Sequence, residues 1–315
     1  MPLFTGAATA LITPFKDGKI DYVSMGKLIE WQIGQGIDAL VICGTSGEAA
    51  TLSSLEKVQL VKFAVDLTDK RVPVIAGAGT NSTETTASLA KEMENAGADG
   101  LLIVTPYYNK CTDSGLIAHY ETIADKVSLP IIMYSVASRT GVNISPRIVK
   151  ILSDHPNIAG IKEASGNISQ ICEIAACVSD NFSLYSGNDD QITSALALGA
   201  KGVISVLANI IPRETHAICQ SYFDGHSDQS DTLQLRYLEL IENLFSDVNP
   251  IPVKRALNAM GFPVGGCRLP LCDMDEVAEE RLLSCLHKFG LIQEKEAGSV
   301  TVLRPQEALL WRKNH

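Results

Sequence analysis

No apolar run in the 315-residue chain approaches the roughly 18 to 20 residues that a membrane span requires, and Met1-Pro-Leu-Phe4 offers neither a basic segment nor a long apolar core. A spanning helix and a secretory leader are therefore not expected, and the expected location is the cytoplasm. The eight cysteines (43, 111, 172, 177, 219, 267, 272 and 285) form no Cys-x-x-Cys pair, and the six histidines show no His-Glu-x-x-His or similar spacing. Reduced, mostly structural thiols and no metal centre follow from that. Basic charge is in deficit, with 26 Lys and Arg against 36 Asp and Glu and a net charge of −10. Nucleic acid and anionic membranes both call for clustered Lys and Arg, so neither is expected as a partner. No linker rich in Pro, Gly or Ser interrupts the chain.

What the chain does have is a series of apolar, β-branched runs, each followed by a stretch with helical periodicity. Strands are expected near 6–13, 39–44, 73–79, 100–106, 129–136, 158–164, 182–187 and 202–209. Their spacing of roughly 20 to 35 residues is what a strand, a loop and a covering helix require. The runs are apolar nearly throughout instead of alternating, as suits parallel strands covered on both faces. Between them, 83–96 ends in Asn95-Ala-Gly-Ala-Asp-Gly100 and 190–198 ends at Gly199, with glycines suited to a helix stop. Eight such units imply an α/β fold, a TIM (β/α)8 barrel over 1–225. Helical patterns near 212–222, 232–245, 251–260 and 274–289 imply a C-terminal helical extension over 226–315, packed on the barrel. Its last part, 291–315, has mixed composition and suggests no role.

Lys162 lies in Ile158-Ala-Gly-Ile-Lys-Glu-Ala-Ser165, a short apolar run with one ammonium inside it. Desolvation disfavours the charged form and pushes a lysine down from about 10.4. The neutral amine is a nucleophile able to attack a ketone and form a Schiff base. The competing reading is a strand-end lysine whose head reaches water. Its company argues against that. In a (β/α)8 barrel the chemistry gathers at the C-terminal strand ends. There stand Gly44-Thr45-Ser46-Gly47-Glu48, whose hydroxyls and exposed N–H groups suit a carboxylate, Thr105-Pro-Tyr107-Tyr108-Asn109, and Met133-Tyr134-Ser135-Val136-Ala137-Ser138-Arg139-Thr140-Gly141. A Ser or Thr turn cap and amphipathic rim tyrosines would account for each segment alone. Together with a buried lysine they supply a proton relay beside a nucleophilic amine.

These segments, with Ser186-Gly-Asn-Asp189, Gly202-Val-Ile-Ser205, Asn249-Pro-Ile-Pro-Val-Lys254 and Arg268-Leu-Pro-Leu271, run in one order from Gly6 to about Leu271. In that order the chain resembles the dihydrodipicolinate synthase family of pyruvate-dependent class I aldolases. The resemblance implies that Lys162 is the Schiff-base lysine and Tyr134 the general acid/base. It implies that Thr45 links Tyr134 to Tyr108, with Tyr108 reaching in from a neighbouring subunit, and that Ser46 holds the pyruvate carboxylate. Gly187 and Ile204 match backbone positions lining the pocket. The implied oligomer is a tetramer built as a dimer of dimers, and no cofactor is called for, because the imine on Lys162 is the electron sink.

Arg139 separates activities within the family, since a guanidinium offers a planar fork to a carboxylate. It implies L-aspartate 4-semialdehyde as the aldehyde partner of pyruvate and 4-hydroxy-tetrahydrodipicolinate, of the lysine and diaminopimelate route, as product. The alternatives are a pyruvate lyase acting on a sugar acid such as N-acetylneuraminate or 2-keto-3-deoxygluconate, and a non-catalytic keto-acid-binding barrel. Two positions depart from the family's usual Tyr-Asn-Val-Pro: Ser135 and Ala137, the second expected to loosen the loop that presents Arg139. At the site where some members bind the end product lysine, Asn81 and Tyr107 match. The acidic residue is displaced to Glu84, with Thr85 following, and Lys57 replaces a histidine. Weak or absent feedback inhibition by L-lysine is expected.

Overall fold

The computed structural model describes residues 2–293, so the segment from 294 onward, most of the stretch without an assigned role, lies outside the described residues. Eight parallel strands close into a barrel in chain order: β1 Gly6–Ala10, β2 Ala39–Ile42, β3 Val74–Gly77, β4 Gly100–Val104, β5 Ile131–Ser135, β6 Ile158–Glu163, β7 Ser183–Ser186 and β8 Gly202–Ser205. Closure is set by β1, which pairs Gly6 with Gly202 on one side and Ala8 with Ala39 on the other. The expected TIM barrel is therefore what the chain forms.

The strands read as unbroken apolar runs because both faces are buried. Ala8, Val41, Ile75, Leu102, Ile132 and Ile204 fill the barrel interior, while Leu40, Leu101, Ile131 and Ile161 pack outward under the helices. At the N-terminal end Phe4 stacks on Tyr185 with ring centroids 4.4 Å apart, and the Tyr185 hydroxyl donates to the Phe4 carbonyl at 2.9 Å.

The covering helices are α1 Tyr22–Gly34, α2 Ser54–Thr68, α3 Thr83–Asn95, α4 Asp113–Ala124, α5 Pro146–Leu152, α6 Ile168–Cys177, α7 Ile192–Ala197 and α8 Pro212–Phe223. Side chains of Asp21, Ser82, Thr112 and Asn167 accept the first free N–H groups of α1, α3, α4 and α6. Ser53 and Glu56 form a reciprocal capping box on α2. Beyond the barrel come α9 Ser227–Arg236, α10 Leu238–Leu244, α11 Ile251–Ala259 and α12 Glu276–Lys288. Helix α9 packs on α8, and α12 on α10 and α11.

Several expected strands overrun the observed ones. Leu11 and Ile12, in a loop after β1, and Leu207 and Ala208, in a 3-10 turn after β8, are apolar because they are buried. There the Asn209 side chain replaces ladder bonds, accepting from Ile12 N at 3.1 Å and donating to the Ala10 carbonyl at 2.9 Å. The helix expected over 232–245 is two helices. Tyr237 between them leaves helical geometry at ψ 5° and packs its buried ring near Phe289, centroids 5.7 Å apart.

Candidate active site

Strand pairing places Lys162 beside Tyr134 on one flank and Tyr185 on the other. The Lys162 ammonium nitrogen lies 4.5 Å from the Tyr134 ring centroid, and both side chains are buried. They open into a cavity of about 400 Å³ at the C-terminal ends of the strands, lined also by Thr45, Ser46, Arg139 and Gly187. Among the described residues the Lys162 amine makes no hydrogen bond or ion pair. A buried amine ordinarily has such partners, because leaving it without them is costly. Here it is left for something the cavity admits.

Lys254 supplies the contrast. It too is a lysine in an apolar run, 1% exposed, but its three donors are all used: on Glu48 Oε1 at 2.8 Å, the Thr13 carbonyl at 3.0 Å and the Gly266 carbonyl at 2.6 Å. Its role is structural. Cys43, also buried near the site, has its thiol pushed up to about 12 by burial, so it stays a thiol and is no rival nucleophile.

Glycines keep the site open. A Cβ on Gly187 would meet Lys162 Cε at 3.0 Å and the Ala164 Cβ at 2.5 Å, closing the space beside the amine. One on Gly77 would stand 2.0 Å from the Cys43 carbonyl oxygen and push β3 away from the loop after β2. That loop carries Thr45 and Ser46. It is held by Asn249, whose Nδ2 donates to Ser46 Oγ at 3.0 Å, and by Thr13, whose hydroxyl donates to the Gly47 carbonyl at 2.7 Å.

Arg139 sits on a helical turn, Ala137–Thr140, at the cavity rim. The turn that bears Ala137 is anchored through Thr140. Thr105 Oγ1 donates to Thr140 Oγ1 at 2.9 Å, and Thr140 Oγ1 donates to the Val142 carbonyl at 3.0 Å. The other departure, Ser135, is tied in as well. Its hydroxyl donates to Asn143 Oδ1 at 3.1 Å and accepts from Ile144 N at 3.2 Å, and Asn143 bonds Gln170, which donates to Glu163 Oε2 at 3.0 Å. Burial pushes the Glu163 carboxyl above the usual range, with these donors opposing.

Two of the expected site residues stand apart. Ile204 belongs to the apolar cluster inside the barrel with Tyr134. Tyr108 is 93% exposed at φ 72°, a backbone conformation unusual for a non-glycine residue, and does not line the cavity. No hydrogen bond joins Thr45, Tyr134 and Tyr108 among the described residues. Asn249, Lys254 and Glu48 are site supports whose roles sequence reasoning missed, although each lies in a segment already singled out. A lysine in an apolar run was the available signal for Lys254.

A sequence profile of the Dihydrodipicolinate synthetase family matches residues 3–288. The chain belongs to that family. Among family members it is 50% identical to the 4-hydroxy-tetrahydrodipicolinate synthase of Acetivibrio thermocellus, over 92% of this chain and 99% of that one. It is 49% identical to the enzyme of that name from Clostridium perfringens, over 92% of this chain and all of the relative. The crystal structure of dihydrodipicolinate synthase from Thermotoga maritima superimposes with a TM-score of 0.91 at 41% identity, covering 92% of this chain and all of that one.

Proposed function

We propose that this enzyme condenses pyruvate with L-aspartate 4-semialdehyde to 4-hydroxy-tetrahydrodipicolinate, through an imine on Lys162. The observation that carries the reading is a buried lysine amine, without a hydrogen bond or ion pair among the described residues, beside a tyrosine in a cavity of substrate size. The names of relatives about half identical over nearly their whole length favour the synthase over a sugar-acid lyase. Arg139 at the rim agrees with them, and a cavity that keeps both Lys162 and Tyr134 gives no support to a non-catalytic barrel.

In this mechanism Ser46 holds the pyruvate carboxylate while the Lys162 amine adds to the keto carbon. Tyr134 donates the proton with which the carbinolamine oxygen leaves as water. Loss of a methyl proton from the imine gives an enamine, whose carbon attacks the aldehyde and forms the carbon–carbon bond. The substrate's own amine then adds to the imine carbon, closing the ring, and Lys162 departs as the free amine. The imine is the electron sink, so the chemistry asks for no cofactor, and activity should persist in the presence of chelators. Arg139 takes the semialdehyde carboxylate. Tyr108 completes the proton relay from a neighbouring subunit, in an assembly built from dimers, and a cytoplasmic location goes with this reading.

Borohydride added with pyruvate should fix a pyruvyl group on the peptide containing Lys162, and Lys162→Ala should abolish it. An adduct that persists in that variant would overturn the assignment. Arg139→Ala should raise KM for the semialdehyde and leave imine trapping intact.

A further inference from the structure

Cys267 and Cys272 stand on the two arms of one tight turn. Leu269 and Pro270 form its corner, which is closed by the Leu271 N–H donating to the Arg268 carbonyl at 3.1 Å. Two residues further out the arms are still together, since a Cβ on Gly266 would lie 3.6 Å from Asp273 Oδ1. The pairing of Arg268 with Leu271 and the closeness of Gly266 and Asp273 leave Cys267 and Cys272 opposed between them. Side chains of opposed residues project to one face, and both cysteines line a cavity of about 300 Å³ between this turn and α11. No backbone hydrogen bond joins the two among the described residues. In a pair of that kind the Cα atoms are about 4.5 Å apart, at the near end of the roughly 4.4 to 6.8 Å that a disulfide spans. Both are free thiols.

The same turn is joined to the loop that carries Thr45 and Ser46. Gly266, before Cys267, accepts from Lys254 Nζ at 2.6 Å through its carbonyl, and Arg268, after it, donates its N–H to Glu48 Oε2 at 2.9 Å. Lys254 and Glu48 are themselves an ion pair at 2.8 Å. Pro270 and Leu271 line a neighbouring cavity together with Thr45 and Tyr134. Cys267 is thus held between the two attachments of one buried pair, and a new bond to its sulfur acts on both at once.

We propose that Cys267 and Cys272 are a dithiol pair that closes to a disulfide on contact with a low-molecular-weight disulfide such as oxidised glutathione, and that closure slows imine formation at Lys162 through the Glu48–Lys254 attachment. The effect on Lys162 rests on the imine reading above, whereas the pairing stands on the geometry of the turn. Cys272 is the exposed thiol and meets the oxidant first. Its sulfur attacks the reagent, one glutathione leaves, and a mixed disulfide remains on Cys272. Cys267 then attacks Cys272 Sγ, and the second glutathione leaves. One S–S bond breaks and one forms, the two cysteine protons pass to the released thiols, and the two electrons given up by the pair reduce the reagent. Burial, with the charge of Glu48 beside it, pushes the Cys267 thiol up to about 12, so ring closure is the slower step.

The test is incubation of the full chain with oxidised glutathione, alkylation of the remaining thiols and tryptic digestion without reduction. Cleavage after Arg268 separates the two cysteines, so a closed pair appears as two peptides that stay joined until dithiothreitol is added. Cys272→Ser should give no joined peptides, and Cys267→Ser should keep glutathione on Cys272. Oxidised wild-type enzyme should form the borohydride-trapped pyruvyl adduct severalfold more slowly than reduced enzyme, because small displacements around a reacting group are costly. Dithiothreitol should restore the rate, and the rate of Cys272→Ser should be indifferent to the oxidant. Glutathione that stays on Cys272 of the wild type, or a link from either cysteine to another thiol, would overturn the pairing. A pair that closes without changing the trapping rate would overturn the effect on Lys162. Reduced enzyme that traps no pyruvate would instead overturn the imine reading, and that effect with it, while the joined peptides still decide the pairing.

Discussion

Lys254 Nζ lies 2.8 Å from Glu48 Oε1 in an ion pair whose side chains are 2% and 0% exposed. Glu48 ends the loop that carries Thr45 and Ser46, in a left-handed backbone conformation at φ 54°. Its second carboxylate oxygen accepts from Arg268 N at 2.9 Å. The pair therefore ties the loop that carries Thr45 and Ser46 to α11 of the extension. Lys254→Met leaves a buried carboxylate without its counterion and should cost about 3 to 5 kcal/mol of stability, read from the denaturant midpoint. Adding Glu48→Gln should recover much of that loss. Equal destabilisation in the single and double variants would show that the pair is not the unit.

Tyr134→Phe should lower kcat by about a hundredfold or more, with a smaller effect on pyruvate KM, because the ring stays packed beside Lys162 and only the proton donor is removed. Steady-state kinetics with both substrates varied will show whether the loss lies in kcat.

Tyr108, exposed and left-handed in the single chain, should act in the site of a partner. Inactive Tyr108→Phe and inactive Lys162→Ala subunits, mixed under conditions of verified exchange, should regain part of the wild-type activity. Absence of recovery would place the tyrosine outside the neighbouring site.

His119 predicts an acid-side dependence of stability. Its Nδ1 bonds the Thr83 hydroxyl at 2.9 Å, its Nε2 has no partner among the described residues, and burial lowers it from 6.5 to about 4. The unfolded chain takes up this proton below about 6.5 while the folded chain resists it down to about 4, so stability falls as pH drops through that window. Urea midpoints at pH 7 and pH 5 should converge in His119→Gln relative to wild type.

L-Lysine should inhibit weakly or not at all, with no half-inhibition below about 1 mM in an assay at ordinary substrate concentrations. Lys57 and Tyr107 line a second cavity of about 350 Å³ whose acidic lining group is Glu48, already bonded to Lys254 and Arg268. Glu84 is exposed in the first turn of α3 and does not line it. A free ammonium finds no available carboxylate there and meets a like charge. Titration of L-lysine into the coupled assay decides the matter.

Local physics was enough to read the barrel. Each strand is buried on both faces, so hydrophobicity alone marked β1 to β8, and glycine stops marked the ends of α3 and α7. Strand ends were overrun because burial and strand geometry give the same apolar signal at Leu11 and Leu207. The candidate nucleophile was legible too, since one ammonium in an apolar run is rare enough to be noticed. Lys254 presents that same signal. What separates it from Lys162 is whether oxygens from distant parts of the chain surround the amine, as Thr13, Glu48 and Gly266 surround Lys254. The anchoring of Asp189 was hidden for the same reason. Asp189 is an ordinary aspartate in the sequence, and only closure of the barrel brings the Val206 and Leu207 N–H groups to one of its oxygens. Residue type and periodicity determined the fold and the candidate nucleophile, because both follow from local burial. Hydrogen-bond saturation depends on which long-range partners meet, and that only the tertiary structure decided.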